Sequence, residues 1–291
     1  LTARRVGVKW EWTTGSKGRP VDELSEGQIK TALTTRAFGC NLVVLSSTGS
    51  TNDVAKGLAA RGASEGTVVV ADRQTAGRGR MGRRWLAPPG TCLLCSILFR
   101  PDLPPAQAQW LTMLCALATA DAVEEVARLR VALKWPNDLI IESRIPNPES
   151  RIWRKLGGIL TETEVTGERL EFVVIGIGIN VNVPPDVLPT LAPDATSVLA
   201  EIGQPVDRVA LLATFLDGVE RRYESLRTGE SPYREWAARL GTLGQPVEAT
   251  VFEEVVTGRA ESVDEDGALL LRTSDGALHR LVAGDVTLAR S

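Results

Sequence analysis

The chain has 291 residues, of which 43% are hydrophobic and 24% charged, with a formal net charge of -3. That is the balance of an ordinary globular protein, long enough for two domains at about 100–200 residues each. It excludes a basic nucleic-acid footprint spread over the whole surface, no run reaches the ~18 apolar residues of a membrane span, and the start lacks a secretory signal pattern; a cytoplasmic protein is expected.

The first twenty or so residues are polar and contain glycine, and they read as a poorly ordered tail. Residues 24–38 read as a short helix with Ser25 as N-cap and Gly39 just past its end. A strand over 41–46, a helix over 51–61 opened by Ser50 or Asn52, and a strand over 67–71 follow. Then comes Gly77-Arg78-Gly79-Arg80-Met81-Gly82-Arg83-Arg84-Trp85, four arginines and three glycines in one short stretch of an acidic chain. Glycine lets backbone approach a ligand closely, and arginine offers planar, bidentate donors to phosphate or carboxylate oxygens. The stretch suits a mobile clamp for a charged, phosphorylated ligand; a solvated basic turn has the same composition.

The next strand, about 93–99, holds Cys92 and Cys95, a C-x-x-C pattern. Residues three apart on a strand point to opposite faces, which spoils shared metal ligation. The single histidine, His279, lies far down the chain, so a zinc set is not expected, and Cys40, Cys92, Cys95 and Cys115 read as reduced thiols. Residues 104–129 form the longest helical candidate, with Trp110 and Met113 as core residues. A strand over 131–135 ends in the turn Pro136-Asn137-Asp138, and 142–154 is a polar insertion. Strands over 155–164 and 171–183 precede a proline-rich loop and a helix over 206–227, whose Leu212, Leu216, Val219, Tyr223 and Leu226 make one apolar stripe. Beyond 244, short β-rich runs are separated by Asp266-Gly267, Asp275-Gly276 and Gly284-Asp285, the turn chemistry of a small all-β unit. The expected organisation is a tail and linker helix over 1–40, a main domain over 41–240 and a β unit over 241–291.

Within the strand 173–182, one face carries Val173, Ile175, Ile177, Ile179 and Val181, suited to a core. The other carries Val174, Gly176, Gly178, Asn180 and Asn182. Glycine inside a strand means that something approaches the backbone closely, either a ligand or a neighbouring element. The glycines lie within the strand, so this is no dinucleotide fingerprint. Lys155, opening the apolar run 156–160, is either a solvated edge residue or a point charge for a phosphate. Asn137 and Asp138 could help to hold magnesium triphosphate or simply form an Asx-type turn, and Ser50-Thr51-Asn52 alone reads as a helix cap.

Together, Ser50-Thr51-Asn52, residues 74–85 (QTAGRGRMGRRW), 134–138 (KWPND), 154–160 (RKLGGIL) and 176–180 (GIGIN) occur in the order found in biotin protein ligases. The chain resembles that family from about residue 40 to its end. The resemblance implies an α+β fold, a mixed β-sheet flanked by helices as in class II synthetase-like ligases, with a small C-terminal SH3-like β-barrel. It further implies that Ser50, Thr51, Asn52 and Gln74 contact biotin. Gly77, Arg78, Gly79 and Arg80 would close over biotin and its adenylate, with Gly158, Gly176 and Gly178 lining the pocket. Arg80, Arg83, Trp85, Asn137, Asp138, Lys155 and Asn180 would lie on the nucleotide side. Arg78, Arg80 and Lys155 would carry the charge stabilisation, with no enzyme nucleophile. The implied substrates are biotin and ATP with Mg2+, and the implied partner is the biotin carboxyl carrier of a carboxylase.

Fewer than fifty residues precede Ser50, so the N-terminal winged helix of bifunctional members, and with it a nucleic-acid partner, is not expected. Relatives that dimerise through sheet edges leave a homodimer open. A lipoate or octanoate ligase shares the fold but lacks the Gly-Arg-Gly-Arg loop, and a biotin-sensing regulator would need the winged helix. Those features separate the alternatives.

Overall fold

The structure is a computed structural model that describes residues 2–6, 9–13, 24–143, 152–251 and 254–288. The main unit is built on a seven-stranded mixed sheet. Its strands are β3 (Leu42–Leu45), β4 (Val68–Ala71), β5 (Cys92–Phe99), β6 (Ala132–Lys134), β7 (Asp138–Ser143), β8 (Ile152–Thr166) and β9 (Arg169–Asn180), in the order β3-β4-β5-β9-β8-β7-β6. Only β3 and β4 run parallel; every other pairing is antiparallel. The sheet is centred on β5 and β9, and β5 is buried at every position.

Alternation along those two strands sorts the molecule into two faces. Leu93, Cys95, Ile97 and Phe99 of β5 join Val173, Ile175, Ile177 and Ile179 of β9 in the main core, under the long helices α3 (Ala108–Ala127) and α6 (Arg208–Arg227). Each aliphatic chain buried there contributes about 1.5–3 kcal/mol. The two helices touch closely where a β-carbon added at Gly218 would lie 3.2 Å from the Ala118 methyl. On the opposite face, Leu98 and Val174 pack under α2 (Thr51–Ala60), while Cys92 and Leu94 pack against Val183 and Leu188. Burial raises the Cys92 and Cys95 thiol pKa values to about 12, and only Cys40 is exposed. Smaller helices are α1 (Glu26–Ala32), α4 (Leu188–Leu191), α5 (Val198–Ile202) and α7 (Tyr233–Arg239).

Several boundaries differ from those expected. The opening stretch is not irregular throughout: β1 (Thr2–Val6) pairs antiparallel with β2 (Lys9–Thr13). Ser25 caps α1 by accepting from Gln28 N, but the helix stops at Ala32, before the β-branched pair Thr34-Thr35, rather than at Phe38. The flanks of the expected insertion continue the β7–β8 ladder, with Glu142 opposite Trp153. Residues 144–151 lie outside the described residues.

After the main unit, β10 (Pro246–Val251), β11 (Glu254–Val263), β12 (Leu269–Arg272), β13 (Leu278–Leu281) and β14 (Asp285–Leu288) form an antiparallel sheet in the order β13-β12-β11-β10-β14. Among the described residues β13 and β14 are the edges of this sheet. Gly267 and Gly276 take left-handed φ values of 84° and 85° in the expected turns. The β11–β12 turn is pinned to the main unit by side-chain donors: Trp110 Nε1 donates to Glu265 O (2.9 Å), Trp135 Nε1 to Gly267 O (2.8 Å) and the Tyr233 hydroxyl to Val263 O (2.7 Å). Among the described residues no helix is long and apolar enough to cross a membrane.

Candidate active site

The arginine loop folds as a narrow hairpin over the α2 side of the sheet. Its root is tied down where Ala76 N donates to Gly49 O (2.8 Å). Trp85 N donates to Gly77 O (2.9 Å) and Gly79 N to Arg83 O (2.7 Å), closing the hairpin. The tip turns through Met81 (φ 53°) and Gly82 (φ 72°), and Met81 is exposed. Gly77 is required: an added β-carbon would sit 2.6 Å from Trp85 O.

Beneath the loop, a hydrogen-bonded chain links the N-terminus of α2 to the sheet. Gln74 Oε1 accepts from Thr51 N (2.7 Å) and from the Thr51 hydroxyl (3.0 Å). Ser96, on the site face of β5, donates to Thr51 Oγ1 or Asn52 Oδ1, which lie 2.7 and 2.6 Å from its hydroxyl. Asn52 Nδ2 donates to Glu162 Oε2 (2.7 Å) and, more weakly, to Leu160 O (3.3 Å). Ser50 occupies the N-cap position but makes no side-chain capping bond.

The bare glycine face of β9 leaves room for two of the chain's own side chains. A β-carbon at Gly176 would lie 2.1 Å from Asn52 Oδ1, and one at Gly178 would lie 2.8 Å from the Trp85 ring. Trp85 Nε1 is buried and has no hydrogen-bond partner among the described residues. Gly178→Ala should therefore unseat Trp85. The expected result is a loss of about 1–3 kcal/mol in denaturant unfolding, with faster tryptic cleavage at Arg83 and Arg84. Unchanged cleavage and stability would show that Trp85 does not rest on Gly178.

The charged groups divide into four sets. Arg78 forms a fork on Asp53 (2.6 and 2.8 Å) and reaches Glu162 Oε2 at 3.1 Å. Hydrogen bonding to Asp53 raises the pKa of the guanidinium above its usual value and lowers that of the Asp53 carboxyl. Arg80 is more deeply buried, which lowers its pKa, and its nearest partner is Asn137 Oδ1 at 3.4 Å. Arg83 reaches across to Asp285 on β14.

The fourth set is Lys155 with Asp138. Lys155 Nζ lies 2.6 Å from Asp138 Oδ1 and 6.0 Å from the centroid of the Trp85 ring, with Lys134 4.0 Å from Asp138 Oδ2. A bulge makes this cluster possible. Asp138 pairs with Gly158 and Leu139 with Gly157, but Ile140 pairs with Lys155, leaving Leu156 as the extra residue. In a regular strand, residues 155 and 158 would face opposite ways; the extra residue brings them to one side. A β-carbon at Gly158 would accordingly lie 3.7 Å from Lys155 Nζ and 3.4 Å from Asp138 Oδ1. Lys155 is also fixed through its backbone, donating to Asp194 O (2.7 Å) and accepting from Thr196 N (2.8 Å).

Asn137 Nδ2 donates to Ile159 O, and the buried Asn180 amide donates through Nδ2 to Thr196 O (2.9 Å). A cavity of about 210 Å³ opens between the loop and the C-terminal sheet, lined by Arg80, Trp135, Asn137, Thr161 and Asp266 among others. Among the described residues no three metal-ligating side chains cluster.

The structure thus gathers Thr51, Asn52, Gln74, the arginine loop, Lys155, Asp138, Gly158 and the glycines of β9 on one side of the sheet. It adds four residues that the sequence reading did not single out: Asp53, Ser96, Glu162 and Asp285. A strand-periodicity signal existed for two of them. Ser96 alternates with Leu94 on β5, and Glu162 with Leu160 and Gly158 on β8.

Comparison with known proteins points to one family for both parts of the chain. Residues 44–180 match the biotin/lipoate A/B protein ligase family, and residues 242–288 match the biotin protein ligase C terminal domain. The chain is 36% identical to the bifunctional ligase/repressor BirA of Bacillus subtilis over 91% of its own length and 79% of that protein's. It is 35% identical to the biotin–[acetyl-CoA-carboxylase] ligase of Paracoccus denitrificans, covering 80% of this chain and 95% of that one. Among solved structures, the biotin protein ligase of Aquifex aeolicus in complex with biotin and ATP superposes with a TM-score of 0.68 at 29% identity, over 87% of this chain and 100% of that one. The ligase of Leishmania major in complex with biotinyl-5-AMP gives 0.56 at 26% identity, over 84% and 99%. With its fold, its ordered motifs and these relatives in agreement, the chain belongs to the biotin/lipoate A/B protein ligase family, among the biotin protein ligases.

Proposed function

We propose that the protein activates biotin with ATP as biotinyl-5'-AMP and then transfers the biotinyl group to a lysine of a carboxylase's biotin carboxyl carrier. In the first step a biotin carboxylate oxygen attacks the α-phosphorus of ATP and pyrophosphate leaves. In the second the carrier amine attacks the acyl carbon and AMP leaves. The observation that carries this reading is the cluster of Lys155, Asp138, Gly158 and Trp85 beneath the arginine hairpin. A cation fixed beside bare backbone suits a carboxylate and a phosphate brought together, a reaction that needs positioning and charge stabilisation more than a nucleophile.

Thr51, Asn52 and Gln74 supply the polar contacts expected for the biotin ring, at the end of the site floored by β9. Lys155 and Arg80 supply charge at the reacting phosphate, and the hairpin excludes water from the mixed anhydride. Mg2+ would enter with the triphosphate; of the residues here, Asp138 would hold it with Asn137 beside it, in competition with Lys155 and Lys134, which already flank that carboxylate. When bound it would offset charge on the triphosphate.

The test is incubation with biotin, ATP and magnesium, with and without an apo carrier domain. Biotinyl-adenylate should form in the first case and biotinylated carrier in the second; acceptance of lipoate in place of biotin would falsify the reading. Arg80→Ala should release adenylate at least about tenfold faster, as expected for a lost charge-assisted contact. A fall in thermal stability without faster release would assign Arg80 a structural role instead.

A further inference from the structure

We propose that Glu162 is a positioning residue for this reaction: one carboxylate that holds both the biotin-facing amide of Asn52 and the loop guanidinium of Arg78. The inference rests on the functional reading above and extends it to a residue outside its motifs.

The geometry converges from three elements. Glu162 Oε2 accepts from Asn52 Nδ2 at 2.7 Å and from Arg78 Nη2 at 3.1 Å, while Oε1 is 2.5 Å from Lys56 Nζ. Asn52 and Lys56 are on α2, Arg78 is on the hairpin and Glu162 is on β8, four residues past Gly158 on the same face. The side chain of Glu162 is three-quarters covered, at 25% exposure, so these bonds are poorly matched by water. Hydrogen bonds from Lys56 and Asn52, and the charges of Lys56 and Arg78, outweigh burial and keep its carboxyl pKa below the usual range.

Two consequences follow for the ligand. First, Asn52 Oδ1 is turned onto Gly176, and the Glu162 bond to Nδ2 settles which way that amide faces. Second, Arg78 in this structure has carboxylate partners on both sides, Asp53 and Glu162, and is not free to meet an anion. Asp53 is the more exposed of the two, at 51%. The Asp53 fork is the shorter contact, at 2.6 and 2.8 Å, but it lies in solvent, where an arriving carboxylate or phosphate competes for the guanidinium while Glu162 keeps it over the site. Glu162 therefore acts through Asn52 and Arg78 and does not need to touch substrate.

The experiment is a double-mutant cycle on adenylate formation by the full chain, with biotin and ATP varied separately. Glu162→Gln keeps the shape and can still accept from Asn52 but loses the charge facing Arg78. It should lower kcat/KM for biotin about tenfold or more, leave the KM for ATP within about twofold, and lose most of its effect in an Arg78→Ala background. Glu162→Ala should cost more, because it also frees Asn52. Additive effects of Glu162→Gln and Arg78→Ala, or equal effects on biotin and ATP, overturn the inference. Should Glu162→Gln fold poorly, Glu162→Asp gives the second test: the shorter carboxylate keeps the charge but draws back from Arg78 and Asn52, and its penalty must also fall on biotin rather than ATP and shrink with Arg78→Ala. Wild-type protein that forms no adenylate overturns the functional reading and this inference together. Active wild type with additive penalties overturns this inference alone.

Discussion

Lys155→Ala is expected to slow biotinyl-adenylate formation by about 10²–10³-fold, the range found when one preorganised donor to developing charge is removed. The side chain is held in place by its bond to Asp138, its approach to the Trp85 ring and the backbone bonds to Asp194 and Thr196. Those backbone bonds survive the substitution, so folding should change little, with a Tm shift of no more than about 2–4 °C. Lys155→Arg should restore only part of the rate. A planar fork does not replace a compact ammonium in a seat shaped by the Leu156 bulge. Single-turnover release of pyrophosphate measures both variants. A fall of less than about threefold for the alanine variant would remove Lys155 from the chemistry.

The largest effect on stability is expected from Arg208→Ala, at about 3–5 kcal/mol, the cost of stranding one partner of a buried ion pair. Arg208 lies in the first turn of α6 with its side chain 2% exposed, and it donates to Asp72 Oδ1 (2.7 Å) and Cys92 O (3.2 Å). The other Asp72 oxygen accepts from Leu24 N (3.3 Å), and Asp72 O accepts from Gly90 N (3.0 Å). One ion pair thus ties together α6, the end of β4, the start of β5 and the chain before α1. Urea titration of the variant measures the loss, and pairing it with Asp72→Asn should recover part of it by removing the stranded charge. A loss below about 1 kcal/mol would mean that Asp72 finds another partner. Because Asp72 lies two residues before Gln74, the same variant should also loosen the root of the arginine hairpin.

Much of the scaffold was legible because alternation and turn chemistry are local. Reading β9 face by face placed Ile175, Ile177 and Ile179 in the core and Gly176 and Gly178 on the opposite side, where they are. The turns at Gly267 and Gly276 fell where Asp-Gly pairs put them. Long-range partners were not legible. Sequence showed that something must approach Gly176 and Gly178 but not that Asn52 and Trp85 do so. It marked Arg78 as a cation without revealing that Asp53 and Glu162 hold it. The Leu156 bulge carries no local signal of its own, yet it places Lys155 on the same side as Gly158. The chain offers a glycine stop signal at Gly39, yet α1 ends at Ala32, where the weaker effect of Thr34 and Thr35 decides.

The three donors on the β11–β12 turn have a thermodynamic consequence. The carbonyls of Val263, Glu265 and Gly267 receive their hydrogen bonds from a phenol and two indoles of the preceding unit. If either unit melted alone, its neighbour would keep polar atoms stripped of partners, at about 1–3 kcal/mol for each that stayed buried. Partial melting is thereby penalised, and heat should dismantle the carboxyl-terminal sheet and the Trp135 turn in a single cooperative transition.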